Sequence, residues 1–332
     1  MQCSNVFPQS LPVIPYQDAL EHGSGKIVIT GAAGLVGQNL IPLLQEMGFR
    51  SIVAIDKHQI NAGILARLHP SIQIVRQDLA IDDGWAEHLA GCSALVIGHA
   101  QIGGVVEEEF VRNNVRATER LLEAAVHHGV PYAVHISSSV VNSKAVDYYT
   151  ETKKTQERLV IASGLKHAVL RPTLMFGWFD RKHLGWLARF MERTPVFPIP
   201  GSGRYLRQPL YVGDFGSVIA ACIARQIVGT YDITGLERID YVDLIRRLKE
   251  ATGSSTHILP LPYWLFWMLL KVYESVNQTP PFTTKQLKAL TTPDIFEVID
   301  WPSTFGVRAT PLPHALQKTF QDPVYSKVVL EF

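Results

Sequence analysis

The sequence predicts an α/β fold, in which a doubly wound parallel sheet is accompanied by a smaller, mainly helical C-terminal lobe. From Lys26 onward, short runs of β-branched residues alternate with amphipathic stretches of helical length, which is typical of repeated βαβ units. A glycine-rich turn follows the first of these runs. After Pro172 the alternation stops, and most of the remaining chain consists of helical stretches broken by prolines.

The predicted elements follow one another along the chain. Strands of the sheet are expected at 26–30, 51–56, 72–75, 94–98, 132–137 and 167–171, and helices around 36–47, 59–68, 105–128 and 148–163. The tract 195–207 is rich in proline and glycine and predicts a loop, which is followed by a helix near 214–225 and a strand over 229–234.

These elements divide the chain into three predicted parts. Residues 1–25 form an N-terminal arm that has no basic start and no continuous apolar run, so we do not interpret it as a secretory signal. A dinucleotide-binding domain is expected over 26–172, with returning segments at about 209–234. The C-terminal substrate lobe would comprise 173–208 and 235–332.

The composition excludes a disordered chain and disfavours a nucleic-acid partner. Hydrophobic residues make up 47% and charged residues 18% of the 332 positions, as in folded proteins. The 31 Lys and Arg residues barely outnumber the 30 Asp and Glu residues, which leaves no basic surplus for a polyphosphate backbone. Cys3, Cys92 and Cys222 are too few and too far apart for a disulfide framework or a metal site, so we expect a reducing, cytoplasmic location and no metal.

The glycine-rich turn predicts a Rossmann-type dinucleotide site. Gly31 can adopt the tight turn, Gly34 lets the backbone approach a pyrophosphate, and Gly37 allows close packing of helix on strand. Asp56 ends the second strand 19 residues after Gly37, where a carboxylate can accept a hydrogen bond from a ribose 2′-hydroxyl. Because that carboxylate would repel a 2′-phosphate, we expect NAD rather than NADP as the cofactor.

A second group of residues predicts acid/base chemistry. Three serines end the fifth strand, and Tyr149 and Lys153 lie four residues apart on the next helix, so an ammonium can favour the ionised form of a phenol. This pair could also be an ordinary exposed helix pair. Its position beside the glycine turn favours a catalytic role, since open α/β sheets bind ligands at the carboxyl ends of their strands.

From about Lys26 to about Gly235 the chain resembles the extended short-chain dehydrogenase/reductases, also called the NAD-dependent epimerase/dehydratase family. The resemblance depends on several motifs in a fixed order. They are TGAAGLVG (30–37), Asp56, Asp78-Leu79, NVRAT (114–118), the serines 137–139, Tyr149 with Lys153, Leu170-Arg171-Pro172 and YVGD (211–214).

The resemblance implies NAD as the cofactor and a Ser-Tyr-Lys site. Tyr149 would be the general acid/base, Lys153 would bind the nicotinamide ribose and lower the tyrosine pKa, and Ser139 would hydrogen-bond the reacting oxygen. Asp78 and Leu79 would flank the adenine. The implied cofactor contacts are Gly31, Ala33, Gly34, Leu35, Val36, Gly37, Asp56, Asp78, Leu79, Ala100, Asn114, Lys153 and Pro172.

Two arginines are candidates for substrate binding. Arg207, with Arg204 beside it, matches an arginine that contacts the diphosphate in nucleotide-sugar members of the family, although a surface-loop arginine fits the sequence equally well. His99 lies where the family tends to have His-x-Ala-Ala, and we expect it to pack or to contact the cofactor rather than to act as a catalyst.

The resemblance favours an NAD-dependent epimerase or keto-reductase that acts on a hydroxyl or keto carbon of a nucleoside-diphosphate sugar. No Asp-Glu pair follows the serines, which disfavours a 4,6-dehydratase. Ser139 and Tyr149 are only ten positions apart, a shorter connection than is usual in sugar-nucleotide members, so a dehydrogenase of hydroxysteroids or lipid-like alcohols is the alternative. A homodimer is expected.

The aromatic segment 262–276 leaves two further possibilities open. It can form the core or dimer packing of a helical cap, or an interfacial helix in peripheral contact with a membrane, and it is too short to span a bilayer. After it, motifs from Pro280 to Val307 look similar to the tail of family members related to a nucleotide-binding accessory subunit of respiratory complex I. A non-catalytic NAD(P)-binding subunit or assembly protein is therefore a further alternative.

Overall fold

The structure is a computed structural model that describes residues 25–276, 283–292 and 295–331. Apart from Gly25, the predicted N-terminal arm lies outside the described residues, and so does Cys3. Pro280 to Phe282, part of the tail that resembles the accessory-subunit relatives, also lie outside them.

The described residues form a mixed α/β arrangement. The strands are β1 (Lys26–Thr30), β2 (Ile52–Ile55), β3 (Gln73–Val75), β4 (Cys92–Ile97), β5 (Ala133–Ile136), β6 (His167–Pro172), β7 (Met175–Phe176), β8 (Val196–Pro200), β9 (Leu206–Arg207), β10 (Leu210–Tyr211), β11 (Gly229–Ile233), β12 (Ile239–Asp240) and β13 (His257–Leu261). The helices are α1 (Leu35–Glu46), α2 (Gln59–Leu68), α3 (Glu107–Phe110), α4 (Ala117–His127), α5 (Tyr148–Ala162), α6 (Leu184–Arg193), α7 (Val212–Arg225), α8 (Tyr241–Thr252), α9 (Tyr263–Val276), α10 (Thr284–Thr291), α11 (Trp301–Phe305) and α12 (Leu312–Gln321).

Seven parallel strands form the central sheet, in the spatial order β11-β6-β5-β4-β1-β2-β3. The chain builds the sheet outward from β1 on one side and from β4 on the other, so the strand order reverses between these two strands. Open α/β sheets bind their ligands at the carboxyl ends of the strands beside such a reversal. The predicted Rossmann-type, doubly wound sheet is confirmed, and β11 joins it as a returning strand.

Helices cover both faces of the sheet because its strands are apolar on both sides. Ile27 and Ile29 of β1 are fully buried in a core that includes Leu40 of α1 and residues of α7. Val28 points to the opposite face and is buried with Leu121 of α4 and residues of α5. The alternation of successive side chains along β1 therefore builds two separate apolar layers.

The C-terminal lobe has its own apolar core. Ile199 of β8, Leu248 of α8 and Leu316 of α12 are fully buried in it. Trp301 and Phe305 of α11 belong by sequence to the predicted C-terminal lobe, but they pack into the core beneath the central sheet. The later part of the chain thus returns to stabilise the earlier part.

The prediction of a continuous loop in the proline-rich tract is wrong, because β8 and β9 lie within it. β8 pairs in parallel with β13, and β9 pairs in antiparallel with β12. The carbonyl of Pro195 and the N–H of Gly201 bond to β13 at 2.8 and 2.7 Å. Since backbone groups alternate in direction, Pro198 and Pro200 turn their missing N–H groups away from β13, where no ladder bond is lost.

The helix predicted over 105–128 is also more complex than its periodicity indicates. α3 continues into α4 through a single π-helical turn, Val111–Arg116. The other strands and helices predicted around the central sheet are present, with ends that differ by a few residues.

α9 is exposed over most of its surface. Its only buried side chain is Leu270, whereas Trp264, Trp267 and Val276 are 66%, 44% and 78% exposed. Packing of this helix in the core of its own chain is therefore wrong, while packing against a second copy and contact with a membrane stay predictions. Within the described ranges, no helix combines the length and the apolar character needed to cross a bilayer.

The close packing of α1 on the start of the glycine turn gives a prediction about stability. A Cβ at Gly37 would lie 2.4 Å from the carbonyl oxygen of Ala32, so we expect Gly37→Ala to lower the free energy of unfolding by about 1–3 kcal/mol. Gly63 in α2 is the matched control, because its Cβ would meet only the Arg76 side chain, at 3.8 Å. Gly63→Ala should stabilise the protein by up to about 1 kcal/mol. Urea denaturation measures both changes, and equal stability of Gly37→Ala and wild type would contradict the packing argument.

Candidate active site

A pocket lies at the carboxyl ends of β1, β2 and β4, where the strand order reverses. Six of the predicted cofactor contacts line it, namely Gly31, Gly34, Asp56, Asp78, Leu79 and Ala100. The other predicted contacts do not form its wall, namely Ala33, Leu35, Val36, Gly37, Asn114, Lys153 and Pro172.

The glycine turn brings backbone, and no side chain, to this pocket. Gly31 has a φ of 64°, and a Cβ there would lie 2.7 Å from the backbone of Gly98 and His99 at the end of β4. Gly34 precedes α1, which begins with no side-chain cap and no acidic residue in its first turn. The amide groups and the positive end of the helix dipole are thus left for an anion such as a pyrophosphate.

Asp56 fastens the glycine turn to the end of β2. Its carboxylate accepts hydrogen bonds from the backbone N–H groups of Ala33, at 2.9 Å, and His58, at 2.8 Å. Burial raises the pKa of Asp56, and these two hydrogen bonds oppose that effect. The carboxylate therefore has a structural contact in addition to the ribose contact predicted from its position.

Lys57 lines the pocket on the side of Asp78. Its ammonium donates to Asp78, at 3.2 Å, and to Asn113, at 2.6 Å. These bonds hold the cation that follows Asp56 at the rim, where it links β2, the segment after β3 and the π-helical turn. Together with the glycine turn, the arrangement fits a dinucleotide.

The three serines after β5 have three different environments. Ser137 donates to Glu157 at 2.6 Å, and the side chain of Ser138 hydrogen-bonds the phenol of Tyr149. Ser139 begins a short 3-10 turn, and its hydroxyl has no hydrogen bond to the described residues. The structure thus places Ser138, not Ser139, beside the tyrosine, and the role predicted for Ser139 at the reacting oxygen stays a prediction.

Tyr149 lies near the start of α5 and is partly buried. In the protein alone, burial raises the pKa of its phenol, the hydrogen bond to Ser138 lowers it, and the nearby charge of Asp147 raises it. Lys153 is not among the groups that shift this pKa, so the predicted lowering by Lys153 is not seen without a ligand. Further positive charge is needed before the phenol can act as a base near neutral pH.

Lys153 is buried, with only 1% of its surface exposed, and so the alternative of an ordinary exposed helix pair is wrong. Its ammonium donates to the carbonyl of Ile136, at 2.9 Å, and to the side-chain oxygen of Gln156. Burial lowers the pKa of Lys153 to about 7, and the carboxylate of Glu157 acts in the opposite direction. The pKa of Lys153 therefore lies near neutral pH, the range in which most enzymes work.

Asn114 connects the pocket wall to α5 from within the π-helical turn. It is fully buried, and its amide bonds to the backbone N–H and C=O of Gln101, at 2.6 and 3.1 Å, and to the hydroxyl of Thr152, at 3.0 Å. The Asn114 side chain therefore has a structural role, because it fixes the loop after β4 and does not face the pocket. Such π-helical turns are frequent at functional sites.

His99 lies between Thr30 of β1 and Thr118 of α4. Its ring nitrogens are 2.9 and 3.0 Å from the two threonine hydroxyls. Burial, with the positive charges of Lys153 and Lys57, lowers the pKa of His99 to about 3, so its ring is neutral near pH 7. This environment agrees with a packing role, and because His99 also lines the pocket, the predicted alternative of a cofactor contact stays a prediction.

Two functional neighbours of Lys153 were not predicted from the sequence. Gln156 and Glu157 follow Lys153 by three and four residues, so all three side chains lie on the inward face of α5. Glu157 accepts from Ser137 and forms an ion pair with Arg171 of β6. The helical spacing from Lys153 was the signal that could have identified both residues.

The two candidate substrate arginines are held separately. Arg204 is mostly exposed and forms an ion pair with Asp240, at 3.2 Å. Arg207 donates to the carbonyl of Thr292, at 2.9 Å, and its guanidinium lies 5.4 Å from the ring centre of Tyr205. The structure thus anchors each arginine to a different partner within the C-terminal lobe, and their substrate role stays a prediction.

Comparisons with known proteins agree with this arrangement. The model of the NAD dependent epimerase/dehydratase family matches residues 27–233. Ceramide reductase from Caulobacter vibrioides is 22% identical over 266 residues, covering 77% of this chain and 80% of that protein. The 3 beta-hydroxysteroid dehydrogenase/Delta 5-->4-isomerase from Mycobacterium tuberculosis is 27% identical over 266 residues, covering 69% of this chain and 70% of that protein.

Solved structures show the same fold over most of the chain. The UDP-glucuronic acid 4-epimerase from Bacillus cereus, in complex with NAD, superposes with a TM-score of 0.65 at 21% identity. The superposition covers 89% of this chain and 97% of the epimerase. The likeness therefore extends from the central sheet into the C-terminal lobe.

The buried ammonium of Lys153 predicts how stability depends on pH. Its pKa is about 7 in the folded protein against 10.5 for a free side chain, so between these values the unfolded chain binds more protons than the folded one. Stability should therefore rise as the pH rises through this window. We expect the free energy of unfolding of the wild type, relative to Lys153→Met, to increase by about 1–3 kcal/mol from pH 7 to pH 9.

Urea denaturation of both proteins at the two pH values measures this difference, and other titrating groups cancel because the two chains share them. A constant difference between wild type and Lys153→Met would show that the ammonium is not desolvated in the folded protein.

Proposed function

Because the chain belongs to the NAD-dependent epimerase/dehydratase family, whose cofactor is NAD, we propose that it oxidises a secondary alcohol or reduces a ketone with Tyr149 as general acid/base. One observation carries the proposal. Lys153 is buried one helical turn after Tyr149 on α5, with its ammonium bonded to the carbonyl of Ile136 at the end of β5, and a hydrogen bond from Ser138 lowers the pKa of the Tyr149 phenol. Within this proposal Tyr149 is the acid/base group, Ser138 the hydrogen-bond donor and Lys153 the cation.

NAD supplies the acceptor or donor of the hydride when it is bound. Gly31 and Gly34, with the start of α1, would hold its pyrophosphate, Asp56 a ribose, and Lys153 the nicotinamide ribose. The protein contributes orientation and electrostatics at the reacting carbon.

Tyr149 would remove the proton from the substrate hydroxyl as the hydride leaves, and return it in the reverse reaction. The hydroxyl of Ser138 can hydrogen-bond the same oxygen, and Ser139 remains a second candidate for this contact. Burial raises the pKa of the phenol, and Lys153 does not shift this pKa in the structure. The proposal therefore requires that protonated Lys153 adds positive charge beside the phenol in the complex with NAD.

A nucleoside-diphosphate sugar is the first candidate substrate. Supporting it, the likeness to UDP-glucuronic acid 4-epimerase includes the C-terminal lobe, in which Arg207 lies. A guanidinium can bind a diphosphate through two parallel hydrogen bonds.

A lipid-like or steroid alcohol is the second candidate. The specific observation in its favour is α9, whose exposed surface contains Trp264, Trp267, Met268, Leu269 and Val272. A relative that acts on ceramide and one that acts on hydroxysteroids also support it. In this case the short connection between Ser139 and Tyr149 leaves the site open to a bulky apolar molecule. For either substrate class, the homodimer remains a prediction.

Replacement of the phenol tests the proposed chemistry. Tyr149→Phe should reduce turnover by about a hundred- to ten-thousand-fold on any substrate found by NADH absorbance, while NAD(H) affinity stays within a few-fold. The matched control is Tyr148→Phe, because Tyr148 is the neighbouring tyrosine and is 44% exposed. Full activity of Tyr149→Phe would show that the acid/base assignment is wrong. Loss of turnover in both Tyr149→Phe and Tyr148→Phe would indicate that the substitutions disrupt the start of α5.

Replacement of Arg207 separates the two substrate classes. If the substrate carries a nucleoside diphosphate, Arg207→Ala should weaken binding of uridine or thymidine diphosphate by about 1.5–3 kcal/mol, measured by calorimetry, with NAD affinity unchanged. Arg238→Ala is the matched control, since Arg238 also donates to a backbone carbonyl of the C-terminal lobe, that of Phe296 at 3.0 Å. No binding of either nucleotide to the wild type would exclude the first candidate. The second candidate would then be favoured if the wild type reduces a lipid-like ketone and this turnover falls in Trp264→Ala.

A further inference from the structure

Gln156 holds the ammonium of Lys153 from within the protein. The glutamine is fully buried, and its side-chain oxygen accepts from the Lys153 ammonium. Its side-chain nitrogen donates to the hydroxyl of Thr118, at 2.9 Å, and to the carbonyl of His99, at 3.3 Å. Because a carbonyl can only accept, the nitrogen must face His99 and the oxygen must face Lys153, so the orientation of the amide is determined.

Beyond Gln156 the hydrogen bonds continue to the end of β1. Thr118 donates to the carbonyl of Asn114, at 2.7 Å, and therefore offers only its lone pairs to Gln156 and to His99. The opposite nitrogen of the His99 ring lies 2.9 Å from Thr30, the residue immediately before Gly31. A chain of side chains thus links the lysine on α5 to the glycine turn across β4 and α4.

Few charges compensate the ammonium of Lys153. The titratable and charged groups that interact with Lys153 are Glu157 on α5, His99 after β4 and His135 on β5, and Arg171 on β6 pairs with Glu157. His99 is also affected by the charges of Lys57 and Asp78. Burial lowers the pKa of both histidines, so they are neutral near pH 7. Among the described residues, Glu157 is the only carboxylate that shifts the pKa of Lys153, and Arg171 already neutralises it through an ion pair.

The solvation of the cation consequently depends on neutral dipoles. Two of its three N–H groups are used by the carbonyl of Ile136 and by the side chain of Gln156. An isolated ammonium is costly to bury, and hydrogen bonds to charged groups are the strong ones among those that can offset this cost.

We propose that Gln156 is a positioning residue, whose side-chain carbonyl keeps the Lys153 ammonium charged and in place at the end of β5. Thr118 and His99 fix the glutamine, and Thr30 fixes His99 relative to the glycine turn. The catalytic consequence depends on the proposed function, since it requires Lys153 to act beside NAD and Tyr149. The placement itself requires neither cofactor nor substrate.

The test is a titration of Lys153 in the full chain by NMR, with ¹³C-labelled lysine side chains and with Lys153→Met to identify the signal. In the wild type the signal should titrate near neutral pH, well below the 10.5 of a free lysine side chain. Gln156→Leu should lower its pKa by about one unit, a tenfold change in acidity, and Gln156→Glu should raise it by at least as much. If Gln156 only supported the fold, the pKa of Lys153 would not shift in opposite directions in the two variants.

Two further variants keep the proposal testable if the glutamine variants do not fold. Thr118→Val removes the hydroxyl that orients Gln156. It should lower the pKa of Lys153, as Gln156→Leu does, but by a smaller amount. Thr155→Val, on the same helix and away from the lysine, is the control and should leave the titration unchanged. An unchanged Lys153 pKa in folded Gln156→Leu or folded Thr118→Val would overturn the proposal.

Activity then separates this inference from the proposed function. Where turnover is measured, the high-pH limit of the rate profile should move down in Gln156→Leu and up in Gln156→Glu, following the NMR values. Shifted NMR values with full activity in Tyr149→Phe would leave the placement intact and reject the catalytic assignment. An unchanged Lys153 pKa in the glutamine variants, together with a large loss of activity in Tyr149→Phe, would reject the placement and leave the catalytic assignment intact.

Discussion

The ends of β1 and β4 approach each other so closely that no side chain fits between them, and the candidate site depends on this approach. A Cβ at Gly31 would lie 2.7 Å from the Gly98 backbone, and a Cβ at Gly98 would lie 2.9 Å from the carbonyl oxygen of Thr30. The reversal of strand order makes these two strands neighbours. As a result, the positive end of α1 and the polar loop after β4 open into a single pocket.

The second half of the site depends on a helix that turns polar side chains inward. Lys153, Gln156 and Glu157 are all buried on α5, where an ordinary surface helix would place apolar residues. Each has partners on the sheet or on α4, and these polar contacts hold α5 against the end of β5. A half-satisfied network of this kind would destabilise the protein, so its members constrain one another. Tyr149 and Lys153 are consequently carried by a regular helix that packs against the sheet, not by a free loop.

The parts of the structure that were predictable are those in which local pattern and global fold agree. The alternation of β-branched runs with amphipathic stretches indicated the central sheet, and the spacing of the glycines indicated the turn after β1. The strand β8 was missed because prolines normally interrupt a ladder, and only the partner strand shows that Pro198 and Pro200 face a free edge.

Within the site, the missing information is long-range. Three consecutive serines are equivalent in sequence, and the turn after β5 decides that Ser138 meets the tyrosine. The partners that hold Arg204 and Arg207 are 36 and 85 residues away along the chain, so no local pattern could show what anchors each arginine. For α9, in contrast, the sequence shows that the side chains are apolar but not that they are exposed to solvent.

The pairing of β11 with β6 has a consequence for how this protein is made. β6 ends at Pro172, and the strand that covers its outer edge ends at Ile233, about 60 residues later. At typical synthesis rates, the ribosome needs roughly 3–12 s to add that segment. During this interval the nascent sheet presents an open strand edge, which is a template for pairing with other chains. Completion of the fold is therefore timed by translation, and the vulnerable period for aggregation lies between the synthesis of these two strands.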